Sequence, residues 1–184
     1  MKLIQIGKYK KFKIGFSENK DLLIEDYKIL TNKIAANSNK INKTRFVECE
    51  IALPLHASSY AFLGVEFAPN EEEFLNIEVR YNESKEEYKQ TLSMCGGVTY
   101  KGLPEEFVNA VYKSILQFFE YGAEIPCGKL TVKTAANCEV GSSNVIFACL
   151  IKIVLDILFG GYVNLTDGQI EEICENRLKQ RYNF

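Results

Sequence analysis

The chain has 184 residues, of which 47% are hydrophobic and 25% are charged, a composition typical of a globular domain. These proportions exclude a collagen, a coiled-coil rod and a fully disordered chain. The net charge of −2 excludes a protein that is polycationic throughout, as many nucleic-acid-binding proteins are.

Positive charge is concentrated in the first quarter of the sequence. Residues 1–45 contain 11 Lys and Arg against 4 Asp and Glu, whereas residues 46–184 contain 11 against 20. Such a segment either packs on the acidic remainder of its own chain or faces a polyanion such as RNA. Four of its lysines interleave with aromatic residues: Lys8, Lys10, Lys11 and Lys13 with Tyr9, Phe12 and Phe16. Because lysines hold phosphates and aromatic rings stack on bases, these four lysines are the predicted nucleic-acid-binding residues.

Residues 1–44 are predicted to form a basic β-β-α extension. Two short alternating stretches, residues 2–6 and 9–16, indicate strands joined at Gly7. A helix is predicted over residues 17–36, because Ser17 is a suitable N-cap. Its apolar residues lie on one helical face: Leu22, Leu23, Tyr27, Leu30 and Ile34.

Residues 45–160 are predicted to form the core. Apolar and polar residues alternate over residues 46–55, 59–67 and 75–81, which indicates three strands. Residues 82–90 are polar and are expected to be a solvated loop. Pro104 is acceptable in the first turn of a helix, and this helix is expected to end at Gly122.

The second half of the core completes the order β-β-β-α-β-α. Residues 128–140 contain a fourth strand, and Gly141-Ser142-Ser143 precedes a long apolar helix. This order predicts an α+β fold, a two-layer sandwich with both helices on one face of a single sheet. Thr166-x-x-Gln169 is a capping box that predicts a helix over residues 167–177, within a third segment, residues 161–184, that packs on the core.

The other sheet face carries the carboxylates Glu48 and Glu50. It is either wetted by solvent or covered by the N-terminal extension. A cation site between these two residues and Glu78 is a further alternative.

Several short motifs between residues 95 and 158 resemble domain IV of elongation factor G and of related translational GTPases. They are Gly96-Gly97-Val98, Leu103-Pro104, Ala110-Val111 and Glu139-Val140-Gly141-Ser142-Ser143, with Gly122, Gly128 and Phe147 at matching positions. The resemblance implies the same fold and a non-catalytic module that contacts the ribosome, RNA or a protein partner.

The chain departs from the family at several positions. The family has His and Asp at the positions of Cys138 and Gly141, and it has a basic loop where residues 56–59 of this chain have no Lys or Arg. No G-x-x-x-x-G-K-[ST] motif occurs, so GTP hydrolysis is not expected.

The start of the long helix, residues 141–144, supports an alternative function. Gly141, Ser142 and Ser143 resemble a shortened phosphate loop of the galactokinase, homoserine kinase and mevalonate kinase group. In such loops a helix N-terminus holds an anion. The alternative is therefore a small-ligand or phosphate-binding protein, or an enzyme, that uses this helix start. His56, the single histidine, is either a general base or a solvated turn residue.

No cofactor or metal is predicted. The six cysteines are at least eleven residues apart, a spacing that lacks a zinc knuckle and favours free thiols. The longest apolar run, residues 145–159, is interrupted by Lys152 and Asp156 and is shorter than the ~20 residues of a membrane helix. We therefore expect a cytoplasmic protein without a membrane partner. The same run is more hydrophobic than two layers require, which predicts a homodimer through this helix.

Overall fold

A computed structural model describes residues 1–6, 10–38, 40–53, 59–93 and 96–182. Eight strands of this part of the chain form one sheet: β1 Lys2–Ile6, β2 Lys10–Gly15, β3 Lys28–Ala35, β4 Arg45–Ala52, β5 Tyr60–Pro69, β6 Phe74–Tyr81, β7 Thr99–Lys101 and β8 Gly128–Cys138. Its α-helices are α1 Glu105–Glu120, α2 Asn144–Gly160 and α3 Asp167–Tyr182. The predicted α+β class is confirmed.

The sheet has the strand order β1-β2-β4-β5-β8-β6-β3, and the short β7 pairs with the end of β8. Its pairs are antiparallel except that of β6 with β8, which is parallel. Because β2 lies near one edge and β3 at the other, residues 16–27 must cross the sheet to connect them. Ile24 N–H donates to the carbonyl of Lys133 in β8 at 2.9 Å, which fixes this crossing segment to the sheet.

The helices pack on one face of the sheet. The rings of Phe107 in α1 and Phe147 in α2 stack with centroids 4.9 Å apart. Eleven residues of α2 are buried, because the sheet, α1 and α3 surround this helix. Packing inside one chain therefore accounts for the hydrophobicity that suggested a homodimer through residues 145–159. That dimer stays a prediction.

The predicted helix over residues 17–36 is wrong, and the N-terminal extension is therefore not β-β-α. Lys20–Leu22 form one turn of 3-10 helix, and Lys28–Ala35 form the edge strand β3. Leu30 and Ile34 are four residues apart, a spacing that fits one face of a helix and one face of a strand equally well. Pairing with β6 and the β-branched Ile29, Thr31 and Ile34 favour the strand.

The C-terminal helix begins as predicted but is longer. Thr166 N–H donates to Gln169 Oε1 at 2.9 Å, and Gln169 N–H donates to Thr166 Oγ1 at 3.4 Å, which is the expected capping box. The helix continues to Tyr182 rather than ending near residue 177. Within the described ranges, no helix has the length and apolar character needed to cross a membrane.

Candidate functional site

The sheet face opposite the helices is covered in part by two irregular segments. We call residues 16–27 the N-terminal strap and residues 82–93 the central strap. Leu22 of the first and Tyr88 of the second are buried against Phe62, and the rings of Phe62 and Tyr88 meet edge to face with centroids 6.1 Å apart. Residues 82–90 are mostly exposed, as their polarity predicts, but the buried Tyr88 anchors them to the sheet.

Glu48 in β4 is fully buried beneath the N-terminal strap. Its Oε1 accepts hydrogen bonds from Asn19 N–H at 2.7 Å and from Thr134 Oγ1 at 3.3 Å. Its Oε2 is also buried but has no hydrogen-bond partner among the described residues. Buried carboxylate oxygens are normally paired, so this oxygen identifies Glu48 as a candidate functional group.

Two features of the sheet make room for Glu48. Gly64 lies directly opposite Glu48 in β5, and a side chain on Gly64 would overlap Thr134 Oγ1. In β8 a bulge at Lys133 places two consecutive side chains, Lys133 and Thr134, on this face. Thr134 therefore reaches Glu48 across Gly64, while Lys133 pairs with Glu18 of the strap at 2.7 Å.

Glu50, two residues along β4, holds the central strap. Its Oε1 accepts hydrogen bonds from Leu92 N–H at 2.6 Å, from the Tyr60 hydroxyl at 3.0 Å and from Thr91 Oγ1 at 3.1 Å. Lys13 Nζ lies 3.6 Å from its Oε2 and donates to the carbonyl of Gln90 at 3.3 Å. Burial, with the neighbouring Glu50, raises the pKa of Tyr60 well above its ordinary value, so its hydroxyl remains a donor.

A cleft of about 390 Å³ lies between the two straps and reaches Glu48. Its lining includes Lys13, Ser17, Glu18, Glu48, Tyr88 and Gln90. Burial raises the pKa of Glu48 to about 7 from an ordinary value of 4.5, and its two hydrogen bonds offset this only in part. Near neutral pH this carboxyl group therefore both gains and loses a proton.

A second depression, of about 450 Å³, lies on the uncovered part of the same face, next to β3 and β6. Its main charged groups are already paired, because Glu78 accepts from Lys129 at 2.7 Å and from Arg80 at 2.8 Å. Of the side chains that line it, none within the described ranges holds a buried polar atom without a partner. The cleft at Glu48 is therefore the better candidate for a ligand site.

The predicted nucleic-acid-binding lysines do not share one surface. Lys8 lies outside the described residues. Lys10 is on the sheet face of Phe12 and Ile14, which pack toward the helices, whereas Lys11 and Lys13 are on the opposite face. All three are half-buried, and Lys13 forms the ion pair with Glu50.

The predicted phosphate-binding residues have defined structural roles. Ser142 Oγ accepts from Cys138 N–H at 2.8 Å and donates to the carbonyl of Tyr60 at 2.9 Å. Ser143 is the N-cap of α2, and its Oγ accepts from Ile146 N–H at 3.4 Å. Gly141 has φ +118°, and its carbonyl accepts from Ser59 N–H at 2.7 Å. These contacts explain the Gly-Ser-Ser sequence without a phosphate.

The remaining candidates contribute little to a site. His56 lies outside the described residues. The cysteines that the structure describes, all but Cys95, form no disulfide, and among them Cys127 alone is not buried. Within these ranges no three His, Cys, Asp or Glu side chains come together as a metal site, so the cation site between Glu48, Glu50 and Glu78 has no support.

Comparison with known proteins gives no relative: no protein-family model, no curated protein and no solved structure matches the chain. The resemblance to domain IV of elongation factor G therefore stays a prediction.

Proposed function

We propose that this chain is a non-catalytic binding module that takes a small polar ligand in the cleft between the two straps. The observation that carries the proposal is Glu48 Oε2, a buried carboxylate oxygen without a hydrogen-bond partner among the described residues. Leaving a buried polar group unsatisfied costs about 1–3 kcal/mol. A ligand that donates a hydrogen bond to this oxygen recovers that free energy on binding.

The dimensions and chemistry of the cleft support the same function. Its volume of about 390 Å³ lies within the range of small-molecule sites. Its lining includes one aromatic residue, Tyr88, and the polar residues Ser17 and Gln90. Such a combination of one flat aromatic group and a few polar groups is typical of sites that orient a small ligand.

This proposal shares its class, a binding module, with the function implied by the elongation factor G resemblance, but it uses another surface. It also replaces the helix start at residues 141–144 as the location of a small-ligand site. The ribosome or RNA partner and its four lysines remain a separate prediction, whose test is given below.

A titration followed by amide NMR spectra tests the proposal. Fragments of neutral, anionic and cationic character are added separately, and binding in the cleft is expected to shift the amide signals of Ser17, Asn19 and Gln90. Ser17→Trp places an indole in the cleft and is expected to abolish these shifts. Asn109→Trp places the same group on the exposed side of α1 and is expected to leave them unchanged.

Either of two results would overturn the proposal. One is that no fragment of any class shifts the cleft amides at millimolar concentration. The other is that shifts occur but persist in Ser17→Trp, since the ligand would then lie elsewhere on the surface.

A further inference from the structure

We propose that the group of the ligand that contacts Glu48 is an organic ammonium, so that the cleft is a site for small amines. This inference rests on the proposed ligand-binding function of the cleft. Glu48 has one oxygen occupied by two donors and a second oxygen that has none. A protonated amine supplies both a hydrogen-bond donor and the opposite charge, which makes its contact with a carboxylate stronger than that of a neutral donor.

The pairing of charges around the cleft favours a cation over an anion. Lys13 is held by Glu50 and the carbonyl of Gln90. Lys133 is held between Glu18 at 2.7 Å and Glu66 at 3.1 Å. Within the described part of the chain, both lysines near the cleft thus have carboxylate partners, whereas no lysine or arginine forms an ion pair with Glu48. An anionic ligand would compete with carboxylates already in place. A cationic ligand would meet only the amino group of Met1, which lies near enough to lower the pKa of Glu48 but, among the described residues, forms no ion pair with it.

Glu48 has no solvent-exposed surface in the free chain, so only a compact group can reach its Oε2 from the cleft. Asn19 and Thr134 approach its Oε1 from the strap and from β8. A Cβ atom at Gly15 would lie 3.6 Å from Oε2, so the backbone of β2 closes one side of this oxygen. A primary ammonium with three N–H groups fits this approach better than a quaternary one, which has no N–H to donate. Ser17 and Glu18 line the same cleft and offer further acceptor oxygens.

Binding of an ammonium group is coupled to the ionisation of Glu48. Burial raises the pKa of this residue to about 7. In the absence of ligand, the carboxyl group of Glu48 is therefore largely protonated at pH 6 and largely ionised at pH 8. The other charged or titratable groups that face Glu48 are the amino group of Met1, Glu18 of the N-terminal strap, Tyr88 of the central strap and Lys13 of β2. An amine that stays protonated over this range binds the ionised form, and its affinity is expected to rise about tenfold from pH 6 to pH 8.

The experiment compares three probes with the same carbon chain, n-butylammonium, n-butanol and butyrate, in amide NMR titrations at pH 6, 7 and 8. We expect n-butylammonium to bind most tightly and to gain affinity with pH, while n-butanol binds weakly and without pH dependence. Glu48→Gln is expected to lower the affinity for n-butylammonium at least tenfold at pH 8. Glu106→Gln, which removes an exposed carboxylate from α1, is the matched control and is expected to bind as the wild type does.

Each other outcome overturns the inference, and the probes show whether the proposed function fails with it. Equal binding of n-butanol and n-butylammonium, or preference for butyrate, would leave a ligand site but not an ammonium site. Absence of binding by all three probes would remove the ammonium site, and the wider fragment set then decides the proposed function. Should Glu48→Gln not fold, the pH series on the wild type decides alone, because an affinity that is constant from pH 6 to pH 8 contradicts the role of Glu48.

Discussion

Thr134 donates a hydrogen bond to Glu48 across the backbone of a third strand, with 3.3 Å between Thr134 Oγ1 and Glu48 Oε1. The two residues belong to β8 and β4, and Gly64 of β5 lies between them in register with both. A buried carboxylate can therefore be held by a side chain two strands away only because the central strand has no side chain at this point. The absence of a Cβ at Gly64 is thus part of the candidate site.

Gly64→Ala is expected to destabilise the fold by about 1–3 kcal/mol, because the new methyl group overlaps Thr134 Oγ1 and crowds Glu48 Cγ. Chemical denaturation of the variant measures this loss. Adding Thr134→Ala removes the overlapping oxygen, so the double variant is expected to be more stable than the sum of the two single changes predicts. Gly168→Ala, at an open position in α3, is the control and should not lower stability. Strict additivity of the two changes would contradict the role of Gly64.

The sequence predicts most of the core because its patterns are local. Alternation identifies β4, β5 and β6, and Pro104 and Ser143 mark the starts of α1 and α2. The sequence pattern fails to predict β3, because the spacing of Leu30 and Ile34 fits both a helix and a strand. Only pairing with β6 selects the strand. The pattern also omits β7, whose three residues are too few to show any period.

The candidate site could be recognised only in part. Glu48 and Glu50 stand out in the sequence as charged residues within a strand, and the pattern allows their face to be covered by the N-terminal segment. The sequence pattern does not predict that the central strap also covers this face. The central strap reads as polar, and its single buried ring, Tyr88, gives no periodic signal. The hydrogen bond from Thr134 to Glu48 depends on the bulge at Lys133, a feature of strand pairing that no local pattern specifies.

Glu50→Ala is expected to release the central strap. Three donors converge on Glu50 Oε1, and alanine leaves the buried Tyr60 hydroxyl and the Leu92 N–H without an acceptor. The expected cost is about 3 kcal/mol or more in the free energy of unfolding. Hydrogen exchange should be faster for residues 88–93, and Glu50→Gln, which keeps an acceptor oxygen, should retain more of their protection. Equal exchange in the wild type and Glu50→Ala would show that Glu50 is not needed to hold the strap.

Ser142→Ala and Ser143→Ala separate a structural role of the helix start from a phosphate site. Ser143→Ala removes the N-cap of α2 and should cost about 1 kcal/mol. Ser142→Ala leaves Cys138 N–H and the carbonyl of Tyr60 without their partner, so it should cost about 1–3 kcal/mol. Inorganic phosphate should not raise the melting temperature of the wild type. A rise that disappears in both variants would instead support the phosphate-binding alternative.

The ribosome partner implied by the elongation factor G resemblance is tested by co-sedimentation at low and moderate salt. If Lys8, Lys10, Lys11 and Lys13 contact RNA, replacing them with Gln should weaken pelleting and reduce its dependence on salt. Because Lys13→Gln also removes the ion pair with Glu50, the double variant K10Q/K11Q is measured beside the fourfold one. K113Q/K179Q carries the same loss of charge on exposed helix positions and should pellet as the wild type does. Unchanged pelleting and salt dependence in the fourfold variant would remove these lysines from any contact.

Stability should fall as pH rises through the range in which Glu48 ionises. The pKa of Glu48 is about 7 in the folded chain and near 4.5 when the group is exposed, so the folded state retains a proton that the unfolded state releases. The free energy of unfolding should therefore decrease between about pH 4.5 and pH 7 and level off above it. The decrease should be at most about 3 kcal/mol, because one pKa unit corresponds to about 1.4 kcal/mol. Glu48→Gln removes this contribution, so the variant should gain stability relative to the wild type as pH rises across that range. Urea denaturation at several pH values measures the difference, with Glu106→Gln as the control for loss of an exposed carboxylate.

The contrary outcome is a stability difference between Glu48→Gln and the wild type that stays constant with pH. Glu48 would then ionise as an exposed residue does, and the N-terminal strap would not bury it.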